Sequence, residues 1–197
     1  MGRIIYLMGK SSTGKDTIYK RLLQEMTPSL QRIVPYTTRP MRSGEHQGVE
    51  YFFTDEAGFQ KLQQDGKVIE AREYHTMYGL WRYFTADDGQ IAPEANYIMI
   101  GTPEGFGMLQ NYFGREKMLP VLIEVDDGVR LQRALNRERK QQNPKYTEMC
   151  RRFLADSEDF AEDKLREVGI GRSFVNENLE NCIVEIKQYL SEELAIN

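Results

Sequence analysis

The sequence predicts an α/β fold built around a parallel sheet, and three observations support this prediction. Short apolar segments rich in β-branched and aromatic residues, typical of buried strands, recur along the chain. Each is followed by a longer segment whose apolar residues recur at helical spacing. A loop containing glycine joins the first strand to the first helix. Strands that alternate with helices in this way form parallel sheets covered by helices on both faces.

Local patterns justify each element in chain order. The first strand is a continuous apolar run, and in the helix after it Ile18, Leu22 and Met26 fall on one face. Two more strands are each followed by a helical pattern, and a further helix, a short strand and an amphipathic helix complete the chain. The predicted ranges are strands at 3–8, 95–101, 119–125 and 173–176, and helices at 17–26, 148–167 and 179–194.

Two stretches have a different texture. From residue 32 to residue 83, extended pieces are punctuated by proline and glycine, and one helix is predicted at about 55–64 with Thr54 as its N-cap. This composition predicts a small, mostly extended subdomain inserted in the α/β core. The polar stretch 137–147, which contains a proline, predicts a mobile surface loop.

Length and composition favour one globular domain that acts on a small molecule. The chain has 197 residues, a formal net charge of −4 and only two cysteines. The acidic charge argues against a nucleic-acid partner. The two cysteines lack metal-ligand spacing and are expected to be reduced thiols. Neither a membrane-spanning run nor a signal peptide is recognised, so a cytoplasmic protein with no membrane partner is expected. The sequence makes no prediction of oligomeric state.

The loop after the first strand matches a phosphate-binding motif. Gly9, Gly14 and Lys15 fit the pattern G-x-x-x-x-G-K between a strand and a helix. Glycines let the backbone curl so that N–H groups point at one phosphate, and the helix adds the positive end of its dipole. Lysine supplies a point charge to the β- and γ-phosphates. The residues predicted to bind ATP here are Gly9, Ser11, Ser12, Thr13, Gly14, Lys15, Asp16 and Thr17.

Asp16 departs from this motif, which has serine or threonine after the lysine to bind Mg²⁺. Two interpretations remain open. Asp16 contacts the metal or its waters with help from Thr17, because a carboxylate beside polyphosphate needs a cation between them. Alternatively, Asp16 is a first-turn residue stabilised by the helix dipole.

A second passage, residues 37–53, contains groups suited to bind a phosphate. Arg39 and Arg42 flank Pro40, Glu45 follows, and Tyr51 lies near the end. Two arginines and a phenol can clamp one phosphate, because guanidinium groups match phosphate oxygens in a bidentate way. Further arginines cluster at 130–139 and 151–152, and they indicate either sites for a compact anion or solvated helix faces.

Taken together, the phosphate loop and the passage T-T-R-x-x-R-x-G-E…Y resemble the guanylate kinase family over nearly the whole chain. The resemblance implies a P-loop kinase core with an inserted nucleotide-binding subdomain and a small lid. It places the core at residues 1–32 and 84–197, the GMP-binding subdomain at 33–83 and the lid at about 137–147. It also implies ATP-dependent phosphorylation of GMP, and of dGMP, with Mg²⁺ as the metal.

The same resemblance assigns roles to single residues. It puts Arg39, Arg42, Tyr51 and Tyr78 on the phosphate of GMP, with Glu45 supporting the arginines. Arg133, Arg137 and Arg152 are implied to reach the transferring phosphoryl group, and Asn176 to lie near the adenine. Glu70 is implied to face the guanine edge. Physical chemistry supports this last role, because guanine presents two donors side by side and a carboxylate offers two acceptors.

Several departures bear on the acceptor. Pro35 and Leu80 stand where the family has donors to guanine O6, and no carboxylate is found around Gly101, where the family has an Asp-x-Asp. The loop Met8-Gly9…Lys15-Asp16-Thr17 is also similar to that of ribose 1,5-bisphosphate phosphokinases. A non-catalytic guanylate-kinase-like binding module is a third alternative, although such modules usually lose the ATP loop. The Arg-x-Gly-Glu…Tyr passage together with Glu70 favours GMP as the acceptor.

Overall fold

A computed structural model describes residues 2–27, 29–42, 44–76 and 79–194. The strands are β1 Ile4–Met8, β2 Gln31–Arg32, β3 Tyr36–Thr37, β4 Phe52–Phe53, β5 Val68–Thr76, β6 Gly79–Ala86, β7 Tyr97–Ile100, β8 Met118–Glu124 and β9 Ser173–Val175. The helices are α1 Lys15–Glu25, α2 Glu56–Gln64, α3 Pro103–Phe113, α4 Asp127–Arg139, α5 Tyr146–Asp159, α6 Glu162–Glu167 and α7 Leu179–Leu194, with a short 3-10 turn at Arg115–Lys117.

The central sheet has five strands in the order β2-β7-β1-β8-β9, and every neighbouring pair is parallel. In β1, which lies in the middle, Ile4 is in register with Tyr97 of β7 and with Met118 of β8. All five residues of β1 are buried. The predicted α/β fold with a parallel sheet is therefore confirmed.

Each face of this sheet has its own apolar core, as expected from the two-residue period of a strand. Ile5 and Leu7 point into a core completed by α1 and α7. Ile4, Tyr6 and Met8 point into the opposite core, which α3 completes. Burial on both faces explains why the strands are continuous apolar runs.

The inserted part forms a second sheet of four strands in the order β4-β3-β6-β5, with β5 and β6 paired antiparallel. A small core around Phe59 and Phe84 packs α2 against it. The predicted N-cap of α2 is wrong by one residue. Asp55 is the cap, since its carboxylate accepts a hydrogen bond from the Gly58 N–H at 2.8 Å. Thr54 still belongs to the strand pairing, because its N–H donates to the Thr37 carbonyl.

The predicted loop at 137–147 is shorter than expected, because α4 continues to Arg139 and α5 begins at Tyr146. Arginines at 137 and 139 lie in the last turn of α4, where the helix dipole favours positive charge. The Lys145 N–H then donates to the Glu138 carboxylate at 3.0 Å and ties the two ends of the remaining loop together.

The single helix predicted at 148–167 is also wrong, because it is two helices, α5 and α6. Phe160 ends α5 with its side chain buried, and Ala161 has extended backbone. This break turns α6 so that Leu165 packs on the same core as Phe160. None of the helices in the described ranges combines the length and the apolar character needed to cross a membrane.

Candidate functional site

The candidate site lies at the carboxyl ends of the central strands. Gly9 follows β1, Thr102 follows β7 and Asp126 follows β8. In a parallel sheet these ends meet at one edge, which is where α/β proteins bind ligands. The topology therefore brings the phosphate loop, the start of α3 and the start of α4 together.

Two glycines shape the phosphate loop. A Cβ atom on Gly9 would lie 2.7 Å from the Ile123 carbonyl oxygen, so the loop passes against β8. Gly14 has a left-handed backbone with φ 90°, and a Cβ atom there would lie 2.5 Å from the Asn176 side-chain nitrogen. Gly14 also begins α1 without any side-chain cap among the described residues, so the first N–H groups of the helix are available to an anion.

Basic groups surround a cavity of about 230 Å³ in front of this loop. The lining residues are Ser12, Gly14, Lys15, Asp16, Thr17, Arg133 and Arg137. Burial lowers the pKa of Lys15; Asp16 and Asp156 oppose this effect, and Arg152 and Arg137 add to it. Arg152 also donates to the Ser11 hydroxyl at 3.2 Å. The structure thus brings Lys15, Arg133, Arg137 and Arg152 to one site, and this positive cluster suits a polyphosphate.

Asn176 supports the phosphate loop directly. Its side-chain amide is buried and donates to the Thr13 carbonyl at 2.7 Å. The main-chain carbonyl of Asn176 accepts a hydrogen bond from the Arg133 guanidinium at 3.3 Å. These contacts were not anticipated from the sequence, whereas a position beside the adenine stays a prediction.

Two further residues hold this loop: Asp156, which sequence reasoning missed, and Arg130, which it placed only in the arginine cluster at 130–139. The Asp156 carboxylate accepts a hydrogen bond from the Ser11 N–H at 2.7 Å. Arg130, whose side chain is 1% exposed, donates twice to Asp127, to the Ser11 carbonyl at 3.0 Å and to Asp156 at 3.4 Å. Its guanidinium also lies over the Phe153 ring at 4.6 Å. Arg130 therefore joins α4, α5 and the phosphate loop.

Replacing Arg130 with methionine is expected to lower the free energy of unfolding by about 2–3 kcal/mol, because Asp156 and the Ser11 carbonyl lose a buried partner. Arg151→Met is the matched control, since Arg151 is 61% exposed and pairs with Glu148 on the surface. That control should cost less than about 1 kcal/mol. Urea unfolding of both variants is the measurement, and equal effects would contradict a structural role for Arg130.

The arginine cluster predicted to bind a phosphate is present in the segment between β3 and β4, beside the second sheet. Arg39 is 3% exposed and donates to both oxygens of Glu45, at 2.5 and 2.8 Å. Its guanidinium also lies 5.3 Å from the centre of the Tyr51 ring. The Arg42 N–H donates to Glu45 at 2.8 Å. The hydrogen bonds from Arg39 hold the pKa of Glu45 below its ordinary value, so this carboxylate stays charged and fixes the arginine.

Tyr83 is a further member of this cluster that the sequence analysis missed. Its ring meets that of Tyr51 edge-on, with centroids 5.6 Å apart. Tyr78, the other predicted phosphate ligand, lies outside the described residues. Burial raises the pKa of Tyr51, and Asp16 of the phosphate loop adds to the rise. The second sheet also contacts the edge of the central sheet that carries the phosphate loop, because Arg72 of β5 donates to the Thr102 hydroxyl at 3.2 Å.

Glu70, the predicted guanine ligand, lies closer to the protein interior than expected. Its side chain is 0% exposed, and it accepts hydrogen bonds from Thr85 at 2.8 Å and from Arg72 at 3.1 Å. Arg72 could have been found from the sequence, because residues two apart in a strand share a face. Gly101 supplies no carboxylate because Tyr6 fills the space beside it: a Cβ atom on Gly101 would lie 1.7 Å from the Tyr6 hydroxyl.

Comparisons with known proteins agree with these features. A sequence model of the family described as guanylate kinase matches residues 1–83. A protein named guanylate kinase from Mycolicibacterium paratuberculosis (strain ATCC BAA-968 / K-10) is 43% identical over 125 residues, which cover 64% of this chain and 45% of that protein. One of the same name from Mycobacterium bovis (strain ATCC BAA-935 / AF2122/97) is 43% identical over 75 residues, 38% of this chain and 36% of that protein.

The fold is similar to a crystal structure of guanylate kinase from Anaplasma phagocytophilum, with a TM-score of 0.70 and 18% identity over 98% of this chain and 86% of that one. At that identity the match shows the fold alone. The chain spans less than half the length of the curated relatives it matches. The resemblance drawn from the sequence is confirmed by these matches.

Proposed function

We propose that this chain is a guanylate kinase that transfers the γ-phosphoryl group of ATP to GMP and forms GDP. Its similarity in sequence and in fold to proteins of that name supports the proposal. The observation that carries this proposal is the pairing of two anion sites. Lys15 and the phosphate loop lie on one side, and the Arg39–Glu45–Tyr51 cluster lies beside the second sheet, which contacts the same edge of the central sheet through Arg72 and Thr102. A donor and an acceptor phosphate can meet between them.

On the donor side, the loop N–H groups and the start of α1 hold the polyphosphate of ATP, and Lys15 contacts its terminal phosphates. The residues fit such a group, since the left-handed Gly14 and the lining of the cavity leave space and positive charge there. Asp16 and Thr17 are exposed at the same cavity and offer oxygen ligands for Mg²⁺. Mg²⁺ neutralises charge on the phosphates when it is bound.

On the acceptor side, Arg39, Arg42, Tyr51 and Tyr78 hold the phosphate of GMP in line with the donor. Arg133, Arg137 and Arg152 neutralise charge that spreads over the transferring group. A general base is not needed, because a nucleotide phosphate is already an anionic nucleophile at neutral pH. Closure of the lid around residues 137–147 excludes water, which would otherwise accept the phosphoryl group.

The substrate is a free nucleotide, GMP or dGMP, rather than a nucleic acid. The acidic net charge of −4 favours a small anionic ligand bound at a local arginine cluster over a polyanion bound on a basic surface. We place the enzyme in the cytoplasm, where it would act in purine nucleotide metabolism.

An assay of ADP release against a panel of acceptors tests the proposal. GMP and dGMP should be phosphorylated, IMP and AMP should show how the base is recognised, and ribose 1,5-bisphosphate should be inert. Turnover of ribose 1,5-bisphosphate with no purine nucleotide turned over would replace the proposed function. Absence of turnover with every acceptor, in protein that binds ATP, would make the chain a binding module.

Asp16→Asn is expected to raise the Mg²⁺ concentration needed for half-maximal rate several-fold, because a neutral amide binds Mg²⁺ more weakly than a carboxylate does. The measurement is a Mg²⁺ titration at saturating ATP and GMP. Asp65→Asn, at the exposed end of α2, is the control. An unchanged titration would leave Asp16 as a residue that only stabilises the start of α1.

A further inference from the structure

The carboxylate of Glu70 is closed off from a ligand. Its side chain is 0% exposed, and both of its oxygens are engaged. Thr85 donates to Oε1 at 2.8 Å, and Arg72 donates through Nε to Oε2 at 3.1 Å and through Nη2 to Oε1 at 3.4 Å. A purine base cannot reach this carboxylate while the pair is intact, so another group has to face the base.

Arg72 is the group that covers Glu70 and remains accessible, with 13% of its side chain exposed. A guanidinium carries five N–H groups. Contacts with the described part of the chain use three of them: the two to Glu70 and one from Nη1 to the Thr102 hydroxyl at 3.2 Å. One N–H on Nη1 and one on Nη2 remain. A guanidinium can present one N–H from each of these two nitrogens in parallel, as it does in bidentate pairs.

The position of Arg72 is that of an acceptor-site residue. Its partner Thr102 caps the N-terminus of α3 at the carboxyl end of β7, on the sheet edge that carries the phosphate loop. A Cβ atom on Gly105, in the first turn of α3, would lie only 3.6 Å from the guanidinium, so Arg72 is held against that turn. Arg72 also lies near enough to Tyr51 to act on its pKa, which places it beside the phosphate cluster.

Resting on the proposed function, we propose that Arg72 recognises the purine base by donating its two free N–H groups to O6 and N7 of guanine. Paired donors on arginine match these two acceptors of guanine. The contact would restore the O6 donor that Pro35 and Leu80 cannot supply. Adenine carries an amine at this position, so a donor would meet a donor. Glu70 holds the guanidinium in place from behind.

The proposal predicts which nucleotides the unmodified protein accepts. IMP keeps O6 and N7 but lacks the 2-amine, so its kcat/KM should lie within about tenfold of that for GMP. The 5′-monophosphate of 2-aminopurine riboside keeps the amine but lacks O6 and the N1 proton, so it should fall about 10- to 100-fold below GMP. Use of 2-aminopurine nucleotide as good as that of GMP would overturn the proposal. Use of IMP a hundredfold worse than that of GMP would also overturn it and return recognition to Glu70, because IMP lacks only the 2-amine.

A variant separates Arg72 from its surroundings. Arg72→Lys keeps a positive partner for Glu70 but loses the pair of parallel donors. It should reduce the preference for GMP over 2-aminopurine nucleotide about tenfold and leave the KM for ATP unchanged. An unchanged preference would also overturn the proposal. If the variant does not fold, the nucleotide panel on the unmodified protein decides alone. Failure of the proposed function would be distinct, because then no purine nucleotide is turned over at all.

Discussion

Replacing Lys15 with alanine is expected to lower kcat for GMP phosphorylation by about 100- to 1000-fold, because one charged group that stabilises the transition state is removed. The fold should be retained. Burial lowers the pKa of Lys15, so the substitution removes a charge that the folded protein disfavours. ADP release measures the activity, and circular dichroism with thermal unfolding measures the fold.

Lys20→Ala is the matched control for this change. Lys20 lies on the exposed side of the same helix, α1, and takes no part in the cavity. Its replacement should leave kcat within about twofold of the unmodified protein. A folded Lys15→Ala variant with turnover as high as that of Lys20→Ala would remove the phosphate loop from the reaction.

Replacing Glu70 with alanine is expected to lower the free energy of unfolding by about 3–5 kcal/mol, because the guanidinium of Arg72, only 13% of whose side chain is exposed, loses its counter-ion. Thr85 loses the acceptor of its hydroxyl as well. For a chain of this length such a loss lowers Tm by roughly 6–20 °C, at about 2–4 °C per kcal/mol. Urea unfolding and thermal scans of the purified variant measure the effect.

Two further variants show whether the stability lost in Glu70→Ala comes from the unpaired Arg72. Glu73→Ala removes a carboxylate of the same strand that pairs with Arg82, but Glu73 is 47% exposed and should cost less than about 1 kcal/mol. The double variant Glu70→Ala/Arg72→Met should recover most of the lost stability, because it leaves no unpaired charge. If Glu70→Ala costs no more than Glu73→Ala, Arg72 is solvated and its pairing with Glu70 is not structural.

Local sequence patterns were sufficient to predict most of the strands and helices of the fold. The apolar runs predicted β1, β7 and β8, and the helical spacing predicted α7 with its bounds at Leu179–Leu194. The glycine motif located the phosphate loop, because its residues are adjacent in the chain. The break between α5 and α6 was missed, since it depends on where Phe160 packs in the core and not on a helix-breaking residue.

The long-range contacts that hold the phosphate loop in place could not be predicted from the sequence. Asp156 meets Ser11 across 145 positions in the chain, and Asn176 meets Thr13 across 163. Such contacts depend on the order of strands in the sheet, which no short motif records. The burial of Glu70 depends on Thr85, which lies opposite it in the neighbouring strand. The pairing of Glu70 with Arg72 could have been predicted, because residues two apart in a strand share a face.

The phosphate loop has a consequence for how the chain can be divided. The segment that the family model matches, residues 1–83, holds the loop but not its supports. β1 lies between β7 and β8, and Arg130, Asp156 and Asn176 hold the loop from outside that segment. In a fragment ending at residue 83, both edges of β1 would be unpaired. Such a fragment is expected to aggregate rather than to bind a nucleotide. Residues 1–83 are therefore not an independent folding unit. A chimera that exchanges this segment between relatives would also have to exchange the second half of the chain, which supports the loop.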